Sequence, residues 1–184
     1  MRPTSERTTA TALEALLQEQ VLAGEWALDP RASSITLRNK SMWGLVPVKG
    51  RFREVTGHGV VSPDGQVSGT IAVAAASIET GNARRDTHLR SGDFFDSSSN
   101  PDITFSADGI RPSTQGVTVT GMLTVRDRTR PMTFEASATV KDNGDVWLDA
   151  EVHVNQVEFG LTWNLLGTVS RDNTVIIHAV FTRR

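Results

Sequence analysis

Residues 116–140 read GVTVTGMLTVRDRTRPMTFEASATV. Apolar and polar side chains alternate along this stretch, the period of a strand that buries one face. Val117, Val119, Leu123 and Val125 share a face with Gly121, while Thr118, Thr120, Met122 and Thr124 take the other. After the short link Asp127–Arg130 the alternation resumes. Met132, Phe134, Ala136, Ala138 and Val140 are set against Thr133, Glu135, Ser137, Thr139 and Lys141. Two such runs joined by so short a link predict a β-hairpin.

Outward from this hairpin the pattern repeats. Asn143-Gly144 marks a tight turn into a run whose inward face is Val146, Leu148, Ala150, Val152 and Val154. The final run offers Val175, Ile177, Ala179 and Phe181 on one face. Upstream, further runs cover Trp26 to Leu28, Ser34 to Leu37, Val46 to Phe52, Gly57 to Ser62 and Val67 to Ile78, with Pro63-Asp64-Gly65 as a turn. About eight to ten antiparallel strands in meander order predict an all-β, up-and-down barrel.

An eight-stranded barrel is either filled by its own side chains or wide enough for one ligand. Small residues decide between these. The run Ala72 to Ala76, together with Ala136, Ala138, Ala150, Ala179, Gly69 and Gly121, places little volume on several strands and points to a cavity. The same residues also let strands curve and layers taper, so a filled interior stays open as a reading.

The chain has 184 residues, the size of one domain with a full core. Its net charge of −2, with scattered Lys and Arg, gives no footprint for nucleic acid. There is no cysteine, which excludes a disulfide scaffold and thiolate chemistry. Residues 1–23 differ from residues 24–184, which form the barrel domain. The early segment ATALEALLQEQVLAG is rich in helix formers, with Thr8 or Thr9 as N-cap and Leu13, Leu16, Leu17 and Val21 on one face. This N-terminal α-helix is expected to pack on the barrel or on a partner. Glu6, Glu14 and Glu19 spoil a secretory signal, and the apolar run is too short for a membrane span. The expectation is a cytoplasmic protein without stable membrane insertion.

Chemistry-bearing motifs are sparse. His58, His88, His153 and His178 occur singly, without metal-ligand spacing. There is no nucleophile elbow, phosphate loop or dinucleotide fingerprint. Asp29, Asp86 and Asp96 are carboxylates that a fold can bring near one another, and nothing in the sequence pairs them. No catalytic residue, metal or cofactor is assigned.

The connector at residues 77–105, SIETGNARRDTHLRSGDFFDSSSNPDITF, is the long irregular segment of the chain. Loops of this length are functional or carry short structure of their own. Its order of SIETGN, RRDTHLR, DFFD and NP before ITF resembles the signature of the YceI-like family. Other matches are Trp26-x-Leu28-Asp29-Pro30 with Ser33, Ser34 and Ile35; Gly50-x-Phe52 with Gly57; Val119 to Val125 with Thr129-x-Pro131; and Glu158-Phe159-Gly160-Leu161. The resemblance runs from about Trp26 to Phe181. It implies a single antiparallel, extended lipocalin-like eight-stranded β-barrel whose apolar pore holds a long isoprenoid or acyl chain. Ala32, where the family commonly has histidine, departs from the pattern, as do Asp127 and the segment Lys40–Pro47.

A tunnel for such a chain needs apolar walls, since each buried methylene contributes about 0.8 kcal/mol. The candidate wall residues are Ile71, Val73, Phe94, Phe95, Phe105, Val119, Leu123, Phe134, Phe159 and Trp163. Ordinary core packing is the competing role for each. At the entrance, Trp43 can contact a chain, and Arg84, Arg85, His88 and Arg90 can face a phosphate head group. The competing role for that run is structural, with Asp86 or Thr87 capping a short helix and Arg85 paired to a nearby carboxylate. The expected function is binding, transport or sequestration of a polyisoprenoid, quinone or acyl lipid. The alternatives are an interaction module with a filled barrel and a lipid-modifying enzyme. A homodimer is plausible from edge strands and the amphipathic helix.

Overall fold

The computed structural model describes residues 8–41, 46–162 and 171–184. Its first barrel lane is broken in two. Strands β1 (Gly24–Leu28) and β2 (Ser34–Ser41) both pair antiparallel with the long final strand β11 (Asp172–Arg183). Leu28 lies opposite Phe181, and Ile35 opposite Ile177. Asp29 organises the break: its main-chain N–H donates to Val180 O at 2.8 Å, and its Oδ1 accepts from Arg31 N at 2.8 Å. Ser33, 2% exposed, accepts at Oγ from Val180 N at 3.0 Å. The sequence Asp-Pro followed by Ser thus makes a turn that keeps one lane in register on either side of a kink.

The next two lanes are broken in the same way. Strands β3 (Val46–Phe52) and β4 (Val55–Val61) pair with β2 and β1 respectively. Strands β5 (Val67–Ala74) and β6 (Ile78–Glu79) pair with β4 and β3. A meander of β7 (Asp102–Ser113), β8 (Gly116–Val125), β9 (Arg128–Val140) and β10 (Val146–Asn155) then leads to β11. The order β1–β4–β5–β7–β8–β9–β10–β11, closed by the β1–β11 pairing, is an eight-stranded antiparallel barrel. Strands β2, β3 and β6 extend its wall at one end.

The hairpin of residues 116–140 forms as its alternation predicts, with a tighter link. Val125 pairs with Arg128, so Arg126 and Asp127 alone make the turn, with Arg126 left-handed at φ 57°. Pairs of positive-φ or turn-prone residues suit a two-residue hairpin because their twist matches that of the strands. Gly121 stands where β8 crosses close to β7: a Cβ there would collide with Ser106 O. The same strand pair carries a bulge between Ala107 and Gly109.

Helix α1 (Ala10–Gln18) starts at Thr9, whose Oγ1 accepts from Ala12 N at 3.2 Å. Thr8 Oγ1 accepts from Val140 N at 2.9 Å and ties the helix start to the barrel. Leu13 is buried in a cluster with Leu22, Trp26, Val61, Val117 and Ala138. Val21 does not share its face. Gln20 adopts φ 59° and turns the chain after the helix, leaving Val21 47% exposed and Leu22 buried in its place. At the other end of β8, a second cluster gathers Phe52, Ile78, Phe95, Val125, Phe159 and Leu161. There helix α2 (Ala83–Arg90) is capped by Asn82, whose Oδ1 accepts from Arg85 N at 3.1 Å. Asp86 and Thr87 therefore do not cap it. Asp86 instead turns inward, and the Thr87 hydroxyl donates to Ala83 O at 2.9 Å. No helix among the described residues is long and apolar enough to cross a membrane.

Candidate functional site

The barrel surrounds a cavity of about 280 Å³. It runs the length of the barrel: Leu13, Leu17 and Leu22 border it at the α1 end, and Phe94, Phe95 and Phe159 at the α2 end. Strand alternation builds the walls. Val117, Val119, Leu123 and Val125 of β8 border the cavity, as do Met132, Phe134, Ala136 and Ala138 of β9. From β10 and β11 come Val146, Leu148, Ala150, Val152, Val154, Val175, Ile177, Ala179 and Phe181.

Nine candidate wall residues, Ile71, Val73, Phe94, Phe95, Phe105, Val119, Leu123, Phe134 and Phe159, all border this space. Trp163 and Trp43 lie outside the described residues. The aromatic side chains pack as pairs, Phe94 edge-on to Phe95 at 4.8 Å and Phe105 tilted on Phe134 at 5.4 Å. Ala136, Ala138, Ala150, Ala179 and Gly69 border the cavity as small residues. Ala72 and Ala74 do not. Ile71 and Val73 take the inward positions of β5, so the alternation sends its alanines to the outer face.

The α2 cations are placed differently from the walls. Arg84, Arg85, His88 and Arg90 do not border the cavity. Arg85 donates from Nε to Thr80 Oγ1 at 2.8 Å and from Nη2 to Thr80 O at 3.0 Å. Arg90 Nη2 donates to Ile78 O at 2.6 Å. These guanidiniums satisfy main-chain carbonyls of the connector, and Arg84 is exposed. Asp29, Asp86 and Asp96 each serve a separate local turn: Asp29 accepts from Arg31, Asp86 from Thr80, and Asp96 from Asn100.

No Asp, Glu, Lys or Arg borders the cavity among the described residues. The polar groups that do are His58, Ser68, Thr70, Thr104, Gln156 and Asn173. His58 and Ser68 are exposed, beside the point where Gly59 pairs with Gly69 and the wall carries no side chain. Gln156 is the buried member at 3% exposure. It sits in the 3-10 turn Gln156–Phe159 after β10, started by Asn155, whose Oδ1 accepts from Val157 N at 3.0 Å. Its Oε1 accepts from Asn173 Nδ2 at 3.1 Å, and Asn173 Oδ1 accepts from Asn39 Nδ2 at 2.6 Å. Sequence reading missed this chain of amides because single polar residues carry no period. Glu135 and Asp64, both held below the usual carboxylate range by hydroxyl hydrogen bonds, do not border the cavity. No group of His, Cys, Asp or Glu able to hold a metal occurs among the described residues.

A closed, eight-stranded, lipocalin-like barrel around a long apolar cavity defines the class. Within it, the YceI-like domain family model matches residues 26–181, and the chain belongs to that family. It is 30% identical over 132 residues to a UPF0312 protein of Pseudomonas aeruginosa, covering 70% of this chain and 68% of that one. It is also 30% identical over 113 residues to UPF0312 protein YE1254 of Yersinia enterocolitica, and spans 58% of that relative's length. Among solved structures, Burkholderia cenocepacia BcnA superposes with a TM-score of 0.73 at 22% identity, over 83% of this chain and 98% of that one. A polyisoprenoid binding domain from Saccharophagus degradans superposes with a TM-score of 0.71 at 14% identity, over 86% and 98%. These two likenesses are likenesses of fold. Helix α1 lies outside the residues matched by the family model.

Proposed function

We propose that this protein binds and carries, or sequesters, a long-chain hydrophobic molecule of the isoprenoid or acyl lipid class inside its barrel. The observation that carries this reading is the cavity itself: it extends from Leu13 and Leu17 of α1 to Phe94 and Phe95, which follow α2, and is otherwise bordered mainly by apolar side chains of the barrel strands. A space of that lining favours an apolar guest, because each methylene moved from water into it contributes about 0.8 kcal/mol. A chain of many carbons then binds without any strong polar contact. The solved polyisoprenoid binding domain of the same fold supports an isoprenoid as the first class to test. This reading is one of binding: the described lining is apolar but for His58, Ser68, Thr70, Thr104, Gln156 and Asn173.

Native mass spectrometry of the purified protein, followed by organic extraction, tests this. A stoichiometric adduct that extracts as a prenyl or acyl lipid is the expected result. A bare mass that stays unchanged after addition of prenyl alcohols, quinones and fatty acids would overturn it and favour a barrel that acts through its surface.

A further inference from the structure

The cavity has one buried polar end. Gln156, 3% exposed, borders it beside Phe159 at the α2 end, far from Leu13 and Leu17. Its carbonyl Oε1 accepts from Asn173 Nδ2 at 3.1 Å, and no hydrogen bond joins its Nε2 to a described residue. With its oxygen so engaged, the donor end of the amide is what Gln156 has left to offer the cavity. Asn173, itself oriented by Asn39 at 2.6 Å, fixes which end of the Gln156 amide is occupied and so directs the Nε2 donors elsewhere.

From this, and resting on the carrier reading above, we infer that Gln156 is a head-group site for an uncharged oxygen acceptor, the carbonyl or hydroxyl of an otherwise apolar chain. A phosphate or carboxylate does not fit. No Lys or Arg borders the cavity among the described residues, and Arg85 and Arg90 are held by main-chain carbonyls. An anion at Gln156 would lose its hydration with no opposite charge to replace it. The ligand therefore lies with its oxygen at Gln156 and its chain running toward Leu13 and Leu17.

The test compares three probes of equal chain length on the full-length protein: geranylgeraniol, geranylgeranyl diphosphate and the matching isoprenoid hydrocarbon. The alcohol is expected to bind about threefold to tenfold more tightly than the hydrocarbon, the worth of one buried neutral hydrogen bond. The diphosphate is expected to be the weakest of the three. Gln156→Met keeps side-chain length and removes the donor, so it should erase the alcohol's advantage over the hydrocarbon. Gln156→Leu, which also lacks the amide, is the second variant and should likewise lose the alcohol's preference. Tightest binding by the diphosphate, or an alcohol preference that survives in either folded variant, would overturn the assignment. Failure of all three probes to bind the wild-type protein would instead overturn the carrier reading, and this inference with it.

Discussion

Thr80 and Asp86 are joined twice. The Thr80 main-chain N–H donates to Asp86 Oδ1 at 2.9 Å, and its hydroxyl donates to the same oxygen at 2.5 Å. Arg85 grips Thr80 from the other side through Oγ1 and the carbonyl. With Arg90 on Ile78 O, these bonds fasten α2 to the end of β6, and so set the position of the following Phe94 and Phe95. The polar residues of the connector hold the apolar ones in place.

Asp86→Ala leaves the Thr80 N–H without this acceptor and removes a bond to a charged group. The expected loss is about 2–3 kcal/mol, with a smaller loss for Asp86→Asn, read from denaturant unfolding. Equal stability of the alanine variant and the wild type would show that the connector is held by its apolar contacts instead.

Ala136→Phe directs a ring into the cavity from β9, where Ala136 is 5% exposed and borders the open space. The variant should remain folded with a melting temperature near that of the wild type, and should lose bound lipid. In a filled core the same change would cost about 1–3 kcal/mol from overpacking. Ala74→Phe, on the outer face of the same barrel, should leave binding intact.

Helix α1 has nine residues, too few to hold together alone in water. Replacing Leu13 and Leu17 by Asp should undock it from the end of the cavity. Hydrogen exchange should then show loss of protection across residues 13–18, with the barrel strands unchanged, and ligand should dissociate faster. Protection lost throughout β8 and β9 would mean that the helix is part of the folding core.

Glu135 accepts from Ser113 Oγ at 2.6 Å and from Thr118 Oγ1, and these bonds hold its carboxyl below the ordinary glutamate value. Its folded value is therefore lower than its unfolded one. The stabilisation is present above the unfolded value and is lost as pH falls through the folded one. In an NMR titration Ser113→Ala should raise the Glu135 midpoint toward the ordinary value. An unmoved midpoint would show that Ser113 does not set it.

The inward faces of β8 to β11 were legible from sequence because a strand's period of two is a local, covalent property. Each apolar set marked by alternation, from Val117 to Phe181, points to one side whatever the strand meets there. The turns at Pro63-Asp64-Gly65 and Asn143-Gly144, and the Thr9 cap, were legible for the same reason. The resemblance carried by residues 77–105 added the family and its barrel.

What remained depends on contacts between distant residues, and only the tertiary structure decided it. An alanine run has no contrast between faces, so composition alone placed Ala74 inward, whereas pairing with β4 and β7 put Val73 there. The left-handed turn at Gln20 took Val21 out of the helix face and gave its place to Leu22. The clustered arginines suggested an anion site, yet the connector's own carbonyls claim Arg85 and Arg90. Gln156 gave no sign at all: a single amide acquires meaning only when a closed barrel excludes water around it and Asn173 occupies one of its two ends. Local periodicity set which side chains face inward, and closure of β1 on β11 set what they enclose.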